Sequence, residues 1–443
     1  MNAEVIGVVG ARIDTRPQLP SADPFHRPPR GFAVTAPGTV LRSRRVELAL
    51  FGLVPQQVTA WQLLYRSCDL HGSPEVAVTT VLLPANADPA RPLLAFQTAM
   101  DAVSERCSPS YALRRGARAL GSVTQFEWLL VADALRRGWT VSLADHEGPN
   151  GNFGAPREPG YRVLDGLRAA LSFDPLDLRP DTPIGVWGYS GGGMAASWAV
   201  EMAPTYAPEL RIVGAALGAP VGDPGQVFER LDGTHYAGLP AIVIAALRRL
   251  YPALDALLEA ELTPAGQRMV AHAERANPLW AILSLAGSRF DDHLRTRRIT
   301  EILATHEFRT MFDDLRLGHS IPTCPLLVIQ PVHDQVIHRD GVDGQVARYR
   351  EGGARVTYVL DRLSEHFSML VLAAPPSLEW LADRLAGEPD TPDADVTVWS
   401  VLASRAGLRG MVDMAATTAK VLLGRPLGRP RTPPPPIPSE RAA

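Results

Sequence analysis

A serine framed by glycines is the residue of this chain best placed for nucleophilic chemistry. Residues 188–192 read Gly-Tyr-Ser-Gly-Gly, which fits the pattern G-x-S-x-G with Ser190 at its centre. The pattern alone is weak, but an apolar run at 184–187 precedes it and small residues typical of a helix start follow it. That strand–turn–helix context exposes such a serine as a nucleophile. The competing interpretation is a glycine-rich turn without a catalytic role.

The glycines fit the chemistry that the serine would perform. A sharp turn holds the hydroxyl clear of the sheet, and it leaves no room for side chains two positions away. A helix that begins at Gly191 would aim free backbone N–H groups at an oxygen that becomes negative during acyl transfer. The sequence therefore favours nucleophilic acyl chemistry at Ser190.

A histidine that follows the serine should act as its general base, because the order in this arrangement is serine, acid, histidine. Eight of the 11 histidines come after Ser190. His366 alone follows an apolar strand, residues 356–360, and starts a helical pattern. The other seven lie in or beside a helical segment, or near the loop after residues 325–331: His235, His272, His293, His306, His319, His333 and His338. We predict His366 as the base, the alternative being a histidine in a surface loop.

Two aspartates compete to orient His366. Asp334 follows the strand at 325–331, one helix and one strand before His366. Asp361 is nearer in sequence, but it ends the strand that leads to His366 itself. Neighbouring strand ends meet at one edge of a parallel sheet, so we predict Asp334 as the acid and keep Asp361 as the rival. Either could instead form an Asx turn in a loop.

The order of apolar runs predicts the elements that must position these residues. Strands are predicted at 45–53, 58–67, 76–84, 93–99, 139–144, 183–189, 212–218, 325–331 and 356–360, and helices at 125–137, 160–172, 192–201, 345–350 and 367–385. The first three strands are joined by short loops, so the sheet should begin antiparallel. Strands and helices then alternate, which implies parallel crossovers. We expect an α/β fold of the α/β-hydrolase type, with a doubly wound, mostly parallel sheet.

A helical segment interrupts this alternation. Residues 221–318 carry helical patterns at 240–258, 265–275 and 298–312, and predict a cap, or lid, inserted into a core of residues 39–220 and 319–390. The apolar run at 241–247 would suit an acyl chain or form the cap's own core. Residues 1–38 should form an extended N-terminal arm. Residues 391–443 should form a C-terminal extension, mostly disordered or draped on the surface from 410 and proline-rich at its end.

Composition excludes several classes of partner. The net charge of -3 provides no basic field for nucleic acid. The longest apolar run, residues 238–247, is too short to span a membrane. Three cysteines without CxxC spacing argue against a zinc or redox cluster and allow one disulfide at most. Residues 1–12 lack the pattern of a leader, so we expect a protein that stays inside, leaves by another route, or has lost its leader.

Several stretches beyond Ser190, Asp334 and His366 resemble the secretory lipases, the lipase A type of yeasts and actinobacteria. The resemblance spans roughly residues 20–390 and rests on residues 42–44, 65–66, 79–84, 102–111, 145–148, 164–168, 188–192, 206–210 and 212–214. It implies an α/β-hydrolase core with a helical lid between nucleophile and acid. It also implies an oxyanion hole at Gly191 and Asp101, although Asp101 alone would be interpreted as a helix N-cap. Family members are usually exported.

The stretch Asp145-His146-Glu147 could suggest a metal site, but no second set of ligands accompanies it at suitable spacing. We expect instead a structural loop that hydrogen bonds beneath the active site. Cys107 matches a cysteine that forms a disulfide in yeast members of the resembled family, and the insertion offers it no evident partner.

These observations together predict a serine hydrolase that cleaves carboxylic esters, above all acylglycerols, through an acyl-enzyme. In this scheme His366 takes the proton of Ser190, Asp334 orients His366, and Gly191 with Asp101 binds the oxyanion. No cofactor or metal is expected, since water is the second substrate. The expected partner is a lipid or small ester, with transient contact to a lipid interface. An acyltransferase or peptidase on the same triad, or a non-catalytic binding protein of this fold, are the alternatives.

Overall fold

A mixed sheet organises the part of the chain that the computed structural model describes, residues 17–389 and 393–428. The strands in these ranges are β1 Val40–Val46, β2 Ala49–Leu50, β3 Val54–Pro55, β4 Thr59–Cys68, β5 Pro74–Leu83, β6 Leu93–Gln97, β7 Thr140–Ala144, β8 Ile184–Tyr189, β9 Ile212–Gly218, β10 Leu326–Pro331, β11 Val356–Asp361 and β12 Ala394–Val398. Ten of them form one sheet in the order β1-β4-β5-β7-β6-β8-β9-β10-β11-β12. The short strands β2 and β3 pair separately.

The pairing changes direction once across the sheet. From β1 through β4 and β5 to β7 the neighbours are antiparallel, and from β7 to β12 every pair is parallel. The central strands β6, β7, β8 and β10 are buried along their whole length, as expected for strands covered by helices on both faces. The predicted doubly wound, mostly parallel sheet with an antiparallel beginning is confirmed.

Helices cover both faces of the sheet. Before the inserted segment they are α1 Pro109–Ala112, α2 Val123–Arg136, α3 Glu158–Leu171 and α4 Gly191–Tyr206. Side chains alternate between the faces of each strand. On β6, Leu93 and Ala95 therefore pack on the face that α3 and α4 cover, whereas Leu94 and Phe96 pack on the face that α2 covers.

The segment between β9 and β10 is helical. It contains α5 Pro224–Leu231, α6 Gly238–Leu247, α7 Pro252–Glu261, α8 Pro264–Arg275, α9 Pro278–Ser284, α10 Ile299–Leu303 and α11 His306–Leu315. We call residues 221–318 the cap. The helix predicted at 240–258 is two helices, because Pro252 starts α7 and holds Tyr251 before it in an extended conformation.

After the cap, the helices are α12 Arg339–Glu351, α13 His366–Leu372, α14 Ala374–Ala386 and α15 Arg405–Leu422. The expectation of a disordered or surface-draped tail from residue 410 is wrong for residues 410–422, which belong to α15. Met414, Thr417 and Val421 recur at helical spacing and are buried. The strand β12 also extends the sheet beyond the predicted core boundary at 390. The proline-rich end at 433–436 lies outside the described residues.

The described part of the N-terminal arm, residues 17–38, contains two short 3-10 turns at Pro24–His26 and Phe32–Val34. Phe25 and Phe32 pack against a small apolar cluster on β4 and β5. The arm therefore lies on the antiparallel side of the sheet. Its first 16 residues, which the prediction included, are outside the described ranges.

The three cysteines, Cys68, Cys107 and Cys324, are buried and form no disulfide with one another. Among the helices of the described ranges, none has the length and apolar character needed to cross a bilayer.

Candidate active site

Ser190 lies at the tip of a sharp turn between β8 and α4. Its backbone has φ 54° and ψ −121°, a conformation that residues other than glycine rarely adopt. Its N–H donates to the Gly218 carbonyl of β9 at 2.9 Å, which anchors the turn to the sheet. Strained backbone of this kind is found at functional turns that the surrounding structure holds in place.

The glycines around Ser190 are required by close contacts. A Cβ on Gly188 would lie 2.1 Å from the Gly192 oxygen, and a Cβ on Gly192 would lie 2.1 Å from the Gln97 oxygen. A Cβ on Gly191 would lie 1.8 Å from Oδ1 of Asp101. A side chain at Gly192 would therefore push the turn away from the end of β6, one at Gly191 would push it away from Asp101, and one at Gly188 would clash with the start of α4.

His366 joins Ser190 and Asp334 into one chain of hydrogen bonds. Its Nε2 lies 3.0 Å from Ser190 Oγ, and its Nδ1 lies 2.9 Å from Asp334 Oδ2. All three side chains are buried or nearly so, with 9 % of Ser190, 4 % of His366 and 6 % of Asp334 exposed. The structure thus brings together the three residues that the sequence singled out, in the geometry of a nucleophile, a base and an acid that orients the base.

The second carboxylate oxygen of Asp334 fixes its own loop. Asp334 Oδ1 accepts the backbone N–H groups of Val336 at 2.8 Å and Ile337 at 2.7 Å. One oxygen therefore holds the carboxylate in place while the other faces His366.

The rival acid, Asp361, has a different set of partners. Its Oδ1 accepts the N–H groups of Leu363 and Ser364 at 2.9 and 2.7 Å, and its Oδ2 accepts the Val401 N–H at 2.6 Å. These bonds shape the loop that leads to His366 and tie it to the segment after β12. Asp361 therefore supports the backbone of the loop, whereas Asp334 meets the imidazole.

Two further residues hold His366 through its backbone, and neither is predicted by a pattern in the sequence. Tyr189 donates its hydroxyl to the His366 carbonyl at 2.6 Å, and Gln335 Oε1 accepts the His366 N–H at 3.2 Å. Tyr189 occupies the variable position before the serine, and Gln335 follows Asp334. Both lie next to motif residues, but only the folded arrangement reveals their contacts.

Asp101 faces Gly191 just beyond the end of β6. It has φ 47°, and it lines the same cavity as Ser190 and Gly191. Burial raises the pKa of Asp101 to about 7, and the nearby His366 acts in the opposite direction. The next helical turn has Ser104 at its N-cap position, so the interpretation of Asp101 as an N-cap is wrong. Asp101 and Gly191 are therefore adjacent to each other at the cavity that Ser190 also lines.

An apolar cavity of about 60 Å³ opens beside Ser190. Core and cap both line it, with Phe153 and Met194 from the core and Val227, Phe228, Leu239 and Val243 from the cap. Most of the apolar run at 241–247 is instead buried in the cap itself. The run therefore mainly forms the cap's own core, whereas Val243 faces the cavity beside Ser190.

The stretch 145–147 follows β7 and hydrogen bonds to residues on either side of Asp101 in the chain. Asp145 accepts the Ser110 N–H at 2.9 Å, and His146 Nε2 donates to the Thr98 carbonyl at 2.9 Å. Within the described ranges, no group of three or more histidine, cysteine, aspartate or glutamate side chains is arranged to hold a metal ion. Through these hydrogen bonds, the stretch holds the segment that carries Asp101 against the end of β7.

Comparison with known proteins gives one consistent family. The profile of the family described as "Secretory lipase" matches residues 113–393. "Probable inactive lipase MT1628" of Mycobacterium tuberculosis (strain CDC 1551 / Oshkosh) is 50% identical over 416 residues, which cover 94% of this chain and 93% of that protein. "Lipase A" of Arthroderma benhamiae is 33% identical over 423 residues, 93% of this chain and 90% of that protein.

The same fold is found among solved structures. The X-ray structure of Candida antarctica lipase A matches with a TM-score of 0.82 at 24% identity, over 95% of this chain and 100% of that one. The closed state of that lipase matches with a TM-score of 0.81 at 23% identity, over 94% and 99% of the two chains. At this level of identity the likeness establishes the α/β-hydrolase fold.

Proposed function

Since this chain belongs to the secretory lipase family, we propose that it is an active serine hydrolase that cleaves carboxylic esters, acylglycerols first among them. One observation carries the proposal: His366 lies 3.0 Å from Ser190 Oγ through Nε2 and 2.9 Å from Asp334 through Nδ1. A nucleophile, its base and an orienting acid in hydrogen-bond contact are what acyl transfer requires.

The reaction proceeds through an acyl-enzyme. His366 Nε2 removes the proton of Ser190 as the oxygen attacks the ester carbonyl, and the imidazolium then protonates the leaving alcohol. In the second half of the cycle His366 removes a proton from water as the water attacks the acyl-enzyme. His366 then returns that proton to Ser190 Oγ as the carboxylic acid leaves. Asp334 keeps the proton of the neutral imidazole on Nδ1, so that Nε2 is free to accept the proton of Ser190.

The negative oxygen of each tetrahedral intermediate lies between Gly191 and Asp101. Gly191 is the first residue of α4, so its N–H has no acceptor within the helix and can bind an anion. Donors that are already in place stabilise the transition state without reorganisation. A raised pKa keeps the carboxyl of Asp101 partly protonated near neutral pH, so its O–H can donate to the oxyanion and it adds less negative charge there.

A rival proposal is a binding protein of this fold that does not turn over substrate, since one relative carries the name "Probable inactive lipase MT1628". Such a protein needs the apolar cavity but not the hydrogen bonds between Ser190, His366 and Asp334. The retention of all three side chains in contact favours the enzyme.

The cavity predicts a preference for short acyl chains. Pockets for drug-sized ligands have volumes of roughly 300–1,000 Å³, so 60 Å³ admits only a short acyl segment unless the cap moves. With p-nitrophenyl acetate, butyrate, octanoate and palmitate, we expect kcat/KM to be highest for the short esters. Val243→Phe should narrow the cavity and lower kcat/KM for octanoate about 10-fold relative to acetate.

Ile242→Val is the matched control on the same helix, because Ile242 is fully buried in the cap and does not line the cavity. It should cost about 0.5–1.5 kcal/mol of unfolding free energy and leave the ranking of esters unchanged. If none of the four esters is hydrolysed faster than in buffer, the proposed function is wrong. If Val243→Phe slows all four equally, the acyl chain lies elsewhere.

A further inference from the structure

The backbone turn that presents Asp101 is held by buried polar side chains that the proposed mechanism does not use. We call residues 98–102 the oxyanion turn. It follows β6 directly, and its contacts come from α2 on one side and from the segment after β7 on the other. Asp101 within it has a left-handed φ of 47°, a conformation that is uncommon for residues other than glycine and that aspartate tolerates better than most.

Glu127 of α2 makes the first of these contacts. Its side chain is entirely buried, and the Ala99 N–H donates to both of its carboxyl oxygens, at 3.2 and 3.0 Å. Ala99 lies two residues before Asp101. If Glu127 were replaced by an apolar residue, the buried N–H of Ala99 would lose its acceptor. Because an unpaired buried N–H costs free energy, the turn would be expected to rearrange.

The segment after β7 makes the second contact. His146 Nε2 donates to the Thr98 carbonyl at 2.9 Å, and burial lowers the pKa of His146 to about 4, so the ring stays neutral. The buried carboxyl of Glu147 lies near the N–H groups of Ala102 and Asp101, but these contacts do not meet the distance and angle of a hydrogen bond. On this side the turn is therefore contacted by a neutral imidazole and by the buried carboxyl of Glu147.

The surroundings of Glu127 oppose a negative charge on it. Burial raises its pKa well above the usual range, and the neighbouring Asp101 raises it further, whereas the Ala99 N–H acts in the opposite direction. Besides burial, the groups that act on the charge of Glu127 are Asp101 and the Ala99 N–H, and neither is a cation. Among the elements that contact α2, α1 carries Tyr111 as its titratable side chain. The strand β7 presents no titratable side chain, and Asp413 of α15 pairs with Arg136 at 3.2 Å.

We infer that Glu127 is a positioning residue for the oxyanion turn and that it acts in its uncharged form, an inference that rests on the proposed ester hydrolysis. One oxygen of a neutral carboxyl accepts the Ala99 N–H as well as an amide oxygen would. A full charge at Glu127 would instead lie close to Asp101 and to the developing oxyanion. The residue acts through the backbone and does not touch the substrate.

The test compares two substitutions at Glu127 with one matched control. Glu127→Gln keeps an uncharged acceptor of the same shape, and Glu127→Leu removes it. Gln125→Leu is the control, because Gln125 also lies on α2, is buried, and donates to the Ala112 carbonyl at 3.0 Å, away from the oxyanion turn. The measurements are kcat and KM for p-nitrophenyl butyrate from pH 6 to 9 and amide hydrogen exchange of residues 98–102.

Glu127→Leu should lower kcat about 10- to 100-fold with KM changed less than about threefold, because a displaced oxyanion donor acts on the transition state. Glu127→Leu should also increase the rate of hydrogen exchange at the Ala99 amide. Glu127→Gln should stay within about threefold of the wild-type kcat and give the same pH profile, since no charge is lost. Gln125→Leu should keep both kcat and the slow exchange of Ala99.

Several results would overturn the inference. A kcat in Glu127→Gln as low as in Glu127→Leu would mean that a carboxylate is required. If Glu127→Gln lost activity at a lower pH than the wild type as the pH rises, a negative charge on Glu127 would have been raising the pKa of Asp101. Normal kcat and slow exchange in Glu127→Leu would mean that the turn does not depend on Glu127. If the wild type hydrolyses no ester, the proposed function fails, and the exchange of Ala99 alone decides the positioning role.

Discussion

Replacing Ser190 by alanine should lower the turnover of p-nitrophenyl butyrate by about 10⁶-fold, since loss of the nucleophile removes the acyl-enzyme route. The residual rate should come from substrate binding and the oxyanion donors alone. The substitution should leave the fold intact, because the hydroxyl contacts only His366 among the described hydrogen bonds. Initial rates on purified protein, with thermal unfolding measured in parallel, check this expectation.

Ser197→Ala is the matched control. Ser197 lies two turns further along α4, is equally a buried serine, and donates its hydroxyl to the Gly193 carbonyl at 2.8 Å. Its Oγ also accepts a hydrogen bond from Gln345 Nε2 at 3.1 Å, so the substitution should lower stability slightly. Neither contact reaches Ser190, His366 or Asp334, and kcat should therefore stay within about threefold of the wild type. A Ser190→Ala protein that retains a hundredth of the activity would contradict the assignment of the nucleophile.

Asp334→Asn should lower kcat by about 10⁴-fold, because an amide at this position favours the wrong tautomer of His366. Asp361→Asn should behave differently. Its carboxylate accepts three backbone N–H groups of the loop and does not bond to the imidazole. We therefore expect a loss of about 1–3 kcal/mol in unfolding free energy and a change in kcat of less than about tenfold.

The two variants should be compared by kcat and by urea unfolding under the same conditions. The expected pattern is a large kinetic effect with small loss of stability for Asp334→Asn, and the reverse for Asp361→Asn. If Asp361→Asn had the larger kinetic effect, the loop would have to rearrange in solution so that Asp361 replaces Asp334.

The proposed catalytic residues could be predicted from sequence because each follows a strand end. Ser190 comes directly after β8, Asp334 shortly after β10, and His366 shortly after β11. These strands are parallel, so their carboxyl ends meet at one edge of the sheet. Local patterns of apolar and turn residues locate strand ends well enough to bring such residues together.

The supporting contacts could not be predicted in the same way. Glu127 meets Ala99, and Tyr189 meets the His366 carbonyl, across long separations in the chain. No local spacing encodes such pairs, which form only when the helix or strand packs in its final position. The pattern of apolar residues does not predict the helix α15 either, because its buried face of Met414, Thr417 and Val421 is interrupted by many small and polar residues.

Labelling with a fluorophosphonate tests the central proposal most directly. The reagent phosphonylates a serine only when a base activates it and donors stabilise the negative oxygen, so it reports the assembled site without any assumption about the natural ester. Intact-mass spectrometry of the folded wild type should give one adduct per chain, and Ser190→Ala should give none. A wild-type protein without an adduct, or an adduct that persists in Ser190→Ala, would contradict the account.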